Sequence, residues 1–284
     1  MMESNKKQTT STLFLRNTLL DVLERAFPSA DIKTEKGTHF FLEIHPKESA
    51  TKHGVYYSGS HLIRLFNLSR PYRHIFITAL HELTHHLENI LHGITDHKQR
   101  FYTYFHQILI TAMGMGLLEK NDLLTLQDTA DLKRLQKQFG NVYSWKIDVI
   151  PYKENRLMAR IANGYEWRDL LRTFGYSYLA LEQIWQREIV ADNQLTELAA
   201  LKAIGIPHEQ IVFIACKHVE QDFYYYLVIR NAFEHKEVLK KVGYGYGAYG
   251  KGDRNWVKKI KAKHLLVEKE KVSHLLGVHV KVQT

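Results

Sequence analysis

Apolar residues recur every three or four positions near the start of the chain, and this spacing predicts a helix over residues 11–26. Three short segments rich in apolar residues follow at 40–44, 54–57 and 62–66, each bounded by polar or turn-forming residues, as is typical of strands. The turn-forming sequence Ser58-Gly59-Ser60 separates the last two segments and favours a hairpin. This part of the chain therefore predicts a helix followed by a small sheet.

Two long helices are predicted next, over residues 71–91 and 97–118, because a proline opens the first and Gly93 follows its end. A polar stretch that favours helix then continues to Phe139. We expect residues 11–140 to form one α+β domain in which a small sheet packs with these helices.

The second half of the chain repeats itself. Residues 163–178 match residues 231–246, which lie 68 positions later, and Trp185 and Trp256 follow at matching places in the two copies. A helix predicted over residues 190–204 joins the copies, and such self-similarity indicates a duplicated module. The fold expected is α+β throughout, a domain with a small sheet being followed by two repeated small α+β modules, over residues 11–140, 141–205 and 206–284.

Composition narrows the class of protein. The single cysteine, Cys216, excludes an intramolecular disulfide and any zinc site that needs two cysteines of this chain. The polar start shows no signal peptide, and the longest apolar run is too short to span a membrane. We therefore expect a cytoplasmic protein with no membrane partner.

The sequence His81-Glu82-Leu83-Thr84-His85 is an HExxH motif inside the first long predicted helix. Two histidines four positions apart share one helix face, so both imidazoles can bind one metal ion. Zn²⁺ binds imidazole nitrogen readily, and a catalytic zinc site keeps a position open for water. Glu82 can take the proton from that water as a general base, so the motif indicates amide hydrolysis with Zn²⁺ as the cofactor.

A third ligand must come from elsewhere. His86 points about 100° away around the helix from His85, and His92 lies ~10 Å further along its axis. His97 remains, and a chain reversal after Gly93 would bring it back toward the metal. The alternative is that His97 is a surface residue at the start of the next helix.

At this point the chain resembles the SprT-like zinc metallopeptidases, a family that includes the Spartan-type proteases, which act on proteins crosslinked to DNA. The resemblance covers residues 11–120 and rests on Gly54-Val-Tyr-Tyr57, Ile63-Arg-Leu-Phe-Asn67, Thr78-Ala-Leu-His-Glu-Leu-Thr-His-His86, Gly93 and His97-Lys-Gln-Arg-Phe101. Lys98 stands where the family often has glycine, and the cysteine-rich zinc ribbon of some members is absent.

The resemblance implies a zincin-like fold with a catalytic glutamate and three zinc-binding histidines, which here are Glu82, His81, His85 and His97. It also implies a protein or peptide substrate, and DNA or a DNA-bound protein as a partner.

Positive charge is concentrated near the end of the chain, where Lys and Arg outnumber Asp and Glu by 13 to 5 over residues 228–284. Basic side chains interleaved with aromatic ones can hold single-stranded nucleic acid. The candidate residues for this contact are Lys240, Lys241, Arg254, Lys258 and Lys259. The alternatives are that the aromatic residues form the module cores and that the charge only keeps the surface solvated.

Three functions stay open on the sequence alone. The first is a zinc-dependent metallopeptidase whose C-terminal modules recruit a substrate or nucleic acid. The second is a non-catalytic regulator that binds nucleic acid or protein and has a structural or vestigial metal site. The third is a metal-dependent hydrolase of another bond.

Overall fold

A computed structural model describes residues 10–28, 35–49, 51–126, 130–251 and 254–284. Over these residues the chain is mixed α+β, as the sequence predicts, with helices and three small sheets. The contacts divide it into two compact units. The first unit takes residues from the ranges up to Ala112, Leu118–Ile147 and Gln221–Thr284, and the second takes Met113–Leu117 and Asp148–Glu220. Within the described ranges, no helix is both long enough and apolar enough to cross a bilayer.

Among the described residues up to Phe139 there are six α-helices and three strands. The helices are α1 (Thr10–Ala26), α2 (Glu35–Thr38), α3 (Tyr72–His92), α4 (Gln99–Gly114), α5 (Lys120–Leu124) and α6 (Ala130–Phe139). The strands are β1 (Phe41–Ile44), β2 (Gly54–Tyr57) and β3 (Leu62–Leu65). The predicted helix over 97–118 ends earlier, at Gly114, and the polar stretch after it forms two helices rather than one continuous segment.

The three strands form a sheet in the order β1-β3-β2, so β2 lies at one edge. Strands β2 and β3 pair antiparallel around the turn at Ser58–Ser60, which confirms the predicted hairpin. Helix α3 packs against both strands. The apolar side of α3 is buried, with Leu80, Leu83 and Leu87 at most 1% exposed. The sheet and α3 therefore share one core, and this core fixes the position of the helix that carries the HExxH motif.

Two four-stranded sheets follow, each built by the same succession of strand, helix, strand, strand, helix and strand. The second unit contains β4 (Arg156–Ala162), α7 (Arg168–Thr173), β5 (Ser177–Leu179), β6 (Ile184–Val190), α8 (Gln194–Ala203) and β7 (Ile211–Ala215). The first unit ends with β8 (Tyr224–Arg230), α9 (Lys236–Lys241), β9 (Gly245–Tyr246), β10 (Trp256–Lys261), α10 (Leu265–Glu270) and β11 (His279–Gln283). The sheet orders are β5-β6-β4-β7 and β9-β10-β8-β11.

The structure differs from the predicted module border between residues 205 and 206. Strand β7 lies after this border in sequence, yet it pairs antiparallel with β4 and completes the first of the two sheets. Helix α8, which corresponds to the predicted joining helix, lies within the same module. Strand pairing joins segments that are far apart in sequence, so the local pattern of residues does not reveal where a sheet ends.

Within the first unit, strand β8 is joined to the segment that precedes α3. The buried hydroxyl of Tyr225 donates to Glu48 Oε1 at 2.8 Å and accepts from the backbone N–H of Leu68 at 3.1 Å. The rings of Tyr72 and Phe223 stack beside this contact, with centroids 6.2 Å apart. The start of α3 is thus fixed by residues near the other end of the chain.

Candidate metal centre

Helix α3 places His81 and His85 one turn apart on the same face, and their Nε2 atoms lie 3.2 Å from each other. The helix ends at His92, where Gly93 adopts a left-handed backbone (φ 71°) and its N–H bonds to the carbonyl of Asn89. This conformation favours glycine and turns the chain back on itself. The returning segment brings His97 Nε2 to 3.1 Å from His85 Nε2 and 3.0 Å from His81 Nε2.

The three imidazole rings rest on the ring of Phe101 in the first turn of α4. This phenylalanine is fully buried, and its centroid lies 4.9, 4.4 and 4.9 Å from those of His81, His85 and His97. The structure therefore brings together the three histidines that the sequence selected, on a rigid apolar support.

The Nδ1 atom of each helix histidine meets an oxygen. Asp131 Oδ2 of α6 lies 2.9 Å from His81 Nδ1, and Thr95 Oγ1 lies 2.6 Å from His85 Nδ1. Burial, with His81 and His97 nearby, lowers the pKa of His85 to about 3, and burial also lowers the pKa of His97. Both side chains are therefore neutral near pH 7, the form in which imidazole binds a metal.

The donor set fits Zn²⁺. Nitrogen atoms 2.0–2.1 Å from a tetrahedral ion lie about 3.3 Å apart, which is close to the separations of 3.0–3.2 Å between the three Nε2 atoms. His81, His85 and His97 could therefore hold one metal ion.

Glu82 lies beside this cluster and is only 6% exposed. Burial raises the pKa of Glu82 to about 7, although the charge of His81 and a hydrogen bond from the backbone of Tyr56 lower it in part. A carboxylate with a pKa near neutrality can both accept and return a proton, which is what a general acid–base residue must do.

A cavity of about 490 Å³ opens next to the histidines and Glu82. Strand β2 lines one side with Gly54, Val55 and Tyr56, and α6 lines another with Leu132 and Leu135. The cavity is thus bordered by an edge strand, by apolar side chains and by charged ones such as Arg70 and Arg134.

Comparison with known proteins returns no match, whether to a protein-family model, a curated protein or a solved structure.

Two other histidines of the region face away from the cluster. His86 Nε2 meets the carbonyl of Gly37, and its Nδ1 meets the hydroxyl of Tyr56, while His92 Nε2 meets the hydroxyl of Tyr104. These contacts agree with the geometric argument that excluded both residues as ligands.

Sequence reasoning missed Asp131, Thr95 and Glu88, which contact the histidines directly or through a neighbour. Helical spacing could have indicated Glu88, because it lies three residues after His85 on the same helix. No local signal identifies Asp131, since α6 reaches the site only through packing.

Two of the basic residues predicted to bind nucleic acid lie on opposite faces of one sheet. Lys258 and Lys259 are neighbours on β10 and point to opposite faces of its sheet. Lys258 Nζ donates to Glu268 at 2.7 Å, whereas Lys259 Nζ lies 4.5 Å from the ring centroid of Tyr224. Exposed basic residues at the end of α9 and before β10 are Lys240, Lys241 and Arg254.

The aromatic residues divide into two groups. Trp185 and Tyr176 are buried in the core of the first module, and Trp256 and Tyr244 are buried in the second, as the core alternative expects. Other aromatic side chains are exposed on both modules, and they are Tyr165, Tyr178, Phe233, Tyr246 and Tyr249.

Proposed function

We propose that the chain is a zinc-dependent metallopeptidase of the SprT-like type, with Zn²⁺ held by His81, His85 and His97. The observation that carries the proposal is the convergence of three Nε2 atoms beside a buried glutamate in an open cavity. A small sheet followed directly by the helix that carries HExxH supports the zincin-like arrangement.

A zinc ion bound there supplies a Lewis acid, which makes water acidic enough to act as a nucleophile near neutral pH. Glu82 accepts the proton of the attacking water and returns it to the leaving amine. Asp131 and Thr95 hold the Nδ1 side of two histidines, so that their Nε2 atoms face the cavity.

The position of β2 supports a peptide as the substrate. It is an edge strand of the sheet, and its residues line the cavity beside Glu82. An extended peptide can pair with the backbone of such an edge strand, which aligns one of its amide bonds with the site. A substrate without a peptide backbone could not pair with this strand.

We also infer that the two small modules are copies of one unit. Each has the same succession of elements and the same sheet order. Asn163 and Asn231, which lie at matching places just after β4 and β8, both have a left-handed backbone, with φ of 54° and 55°. The exposed aromatic residues, with the basic charge of the second module, support a role in recruiting a protein or nucleic acid.

The test of the peptidase proposal compares the unaltered chain with Glu82→Gln and His97→Ala. We expect the chain to bind one equivalent of Zn²⁺ and to cleave an unstructured, dye-labelled protein. Glu82→Gln should retain Zn²⁺ and lose about 10²–10⁴-fold in rate, because only the general base is removed. His97→Ala should lose Zn²⁺ affinity as well as activity.

Two results would replace the proposal by its alternatives. Zinc binding without cleavage of any peptide, together with loss of stability when the metal is removed, would indicate a structural site in a binding protein. Hydrolysis of an ester or phosphoester, but not of a peptide, would indicate a hydrolase of another bond.

A further inference from the structure

Glu88 lies on α3, three residues after His85, and its carboxylate has no exposed surface. It accepts hydrogen bonds from the hydroxyl of Thr95 at 2.9 Å and from the backbone N–H of Asp96 at 3.0 Å. Its other oxygen accepts from Arg100 Nε at 2.9 Å. One buried carboxylate thus joins α3, the returning segment and α4.

The direction of these hydrogen bonds determines which ring nitrogen of His85 carries the proton. The carboxylate of Glu88 forms a salt bridge with the guanidinium of Arg100 and is the acceptor in all three hydrogen bonds. The single hydroxyl hydrogen of Thr95 therefore points to Glu88, and Thr95 Oγ1 offers only a lone pair to His85 Nδ1 at 2.6 Å. The proton of His85 must then lie on Nδ1, which leaves Nε2 unprotonated and facing His81 and His97.

We propose that Glu88 and Thr95 are positioning residues of the metal centre, because together they set the tautomer of His85 and hold the segment that carries His97. The same carboxylate binds the backbone next to His97, at Asp96, so both effects depend on one group. The inference rests on the metal-binding part of the proposed function and not on the bond that is cleaved.

The first test measures the affinity of the full chain for Zn²⁺ by competition with a coloured chelator. Thr95→Val keeps the shape of the side chain but removes the hydroxyl, and we expect it to weaken binding by about 10–100-fold, as loss of an outer-shell partner does. Thr95→Ser restores the hydroxyl and should restore most of the affinity. Thr103→Val is the matched control, because that hydroxyl lies on the exposed side of α4 and, within the described part of the chain, bonds to Gln99 and Gln138 and not to the metal centre.

The second test needs no metal. In the metal-free, ¹⁵N-labelled chain, NMR correlation of ring nitrogens with ring protons distinguishes the two imidazole tautomers, and His85→Asn identifies the signal of His85. We expect the Nδ1–H form in the unaltered chain and in Thr95→Ser. We expect its loss in Thr95→Val, which offers Nδ1 no acceptor, and in Glu88→Leu, which removes the acceptor of the Thr95 hydroxyl and so allows that hydroxyl to donate to His85 Nδ1.

The inference is overturned if Thr95→Val binds Zn²⁺ as tightly as the unaltered chain, or if His85 carries its proton on Nε2. Failure of the peptidase proposal gives a different result, in which Zn²⁺ is bound, the variants keep their order of affinity and no peptide is cleaved. If the chain does not bind Zn²⁺ at all, the tautomer in the metal-free protein still decides whether Glu88 and Thr95 set it.

Discussion

Gly54 at the start of β2 faces the carboxylate of Glu82. A Cβ atom placed on this residue would lie 2.7 Å from Glu82 Oε1 and 2.9 Å from Thr78 Cγ2. Real Cβ atoms do not approach other atoms so closely. Glycine is therefore required here by the close approach of a catalytic candidate to the strand, and not by an unusual backbone angle.

We expect Gly54→Ala to reduce peptide hydrolysis by about 100-fold, because a displacement of a catalytic group by ~1 Å can have an effect of this size. Zn²⁺ content should stay at the level of the unaltered chain, since no histidine of the cluster contacts the new methyl group. Gly59→Ala is the control, as a Cβ there meets no atom within 4 Å. Full activity in Gly54→Ala would show that Glu82 does not act as a base from its observed position.

Among single residues, the sequence predicted those site residues that meet because they are close together along the chain. His81 and His85 meet because four positions make about one helical turn, and Gly93 supplies the reversal that returns His97. Asp131 could not be predicted in the same way. Its distance from His81 depends on how α6 packs, and periodicity in the sequence carries no information about that packing.

Both small modules contain an ion pair between the strand that carries the tryptophan and the helix that follows it. Arg187 of β6 lies 3.4 Å from Glu197 of α8, and Lys258 of β10 lies 2.7 Å from Glu268 of α10. Glu268 is buried and also accepts from Lys271 at 2.6 Å. The pair fastens each helix to its sheet.

Glu268→Gln should lower the free energy of unfolding by roughly 1–3 kcal/mol at pH 7, since it removes charge-assisted hydrogen bonds from a buried group. Burial raises the pKa of Glu268, but the hydrogen bonds from Lys258 and Lys271 outweigh this effect and lower it below its ordinary value of 4.5. The stabilisation is therefore complete above pH 4.5 and is lost as the pH falls through the lowered pKa.

Urea unfolding of the two chains at several pH values measures this difference. The difference in the free energy of unfolding between the two chains should vanish toward low pH, where the carboxyl group of the unaltered chain is also neutral. The exposed neighbour Glu270 provides a control, and Glu270→Gln should leave stability nearly unchanged. A difference that is the same at pH 3 and pH 7 would contradict the assignment.

At the scale of elements, the sequence predicted the helices whose ends carry proline or glycine and the hairpin between β2 and β3. It did not predict α10 and β11, and it assigned β7 to the wrong side of a module border. Short amphipathic helices and edge strands are stabilised mostly by the elements that they pack against or pair with. Their own sequences therefore carry only a weak pattern.

On the whole molecule, positive charge is concentrated in residues 228–284, and we expect this region to bind nucleic acid through phosphate contacts. Lys258 is excluded from the test because it stabilises the module through Glu268. Binding weakens with salt, and the slope of log K against log salt concentration measures the number of phosphate contacts. The double change Lys240→Glu with Lys241→Glu should make this slope less steep by about 2, because each contact contributes roughly 0.9.

The measurement is a titration of labelled single- and double-stranded DNA at several salt concentrations. Lys133→Glu with Lys137→Glu makes the same change of charge on exposed positions of α6 and should have little effect. If both double substitutions weaken DNA binding equally, the binding responds to net charge alone. Absence of binding at low salt would leave the region as a solvated surface or a protein-binding face.

The contact between Tyr225 and the segment before α3 has a consequence for the timing of synthesis. Tyr225 lies 157 residues after Leu68 and 177 after Glu48, so these groups lack their partner until most of the chain has left the ribosome. Arg70, which lies in the same segment, lines the cavity beside the histidines. We therefore expect the cleft to reach its final form only after β8 has been translated, so that the proposed metal centre stays incomplete during most of the synthesis of the chain.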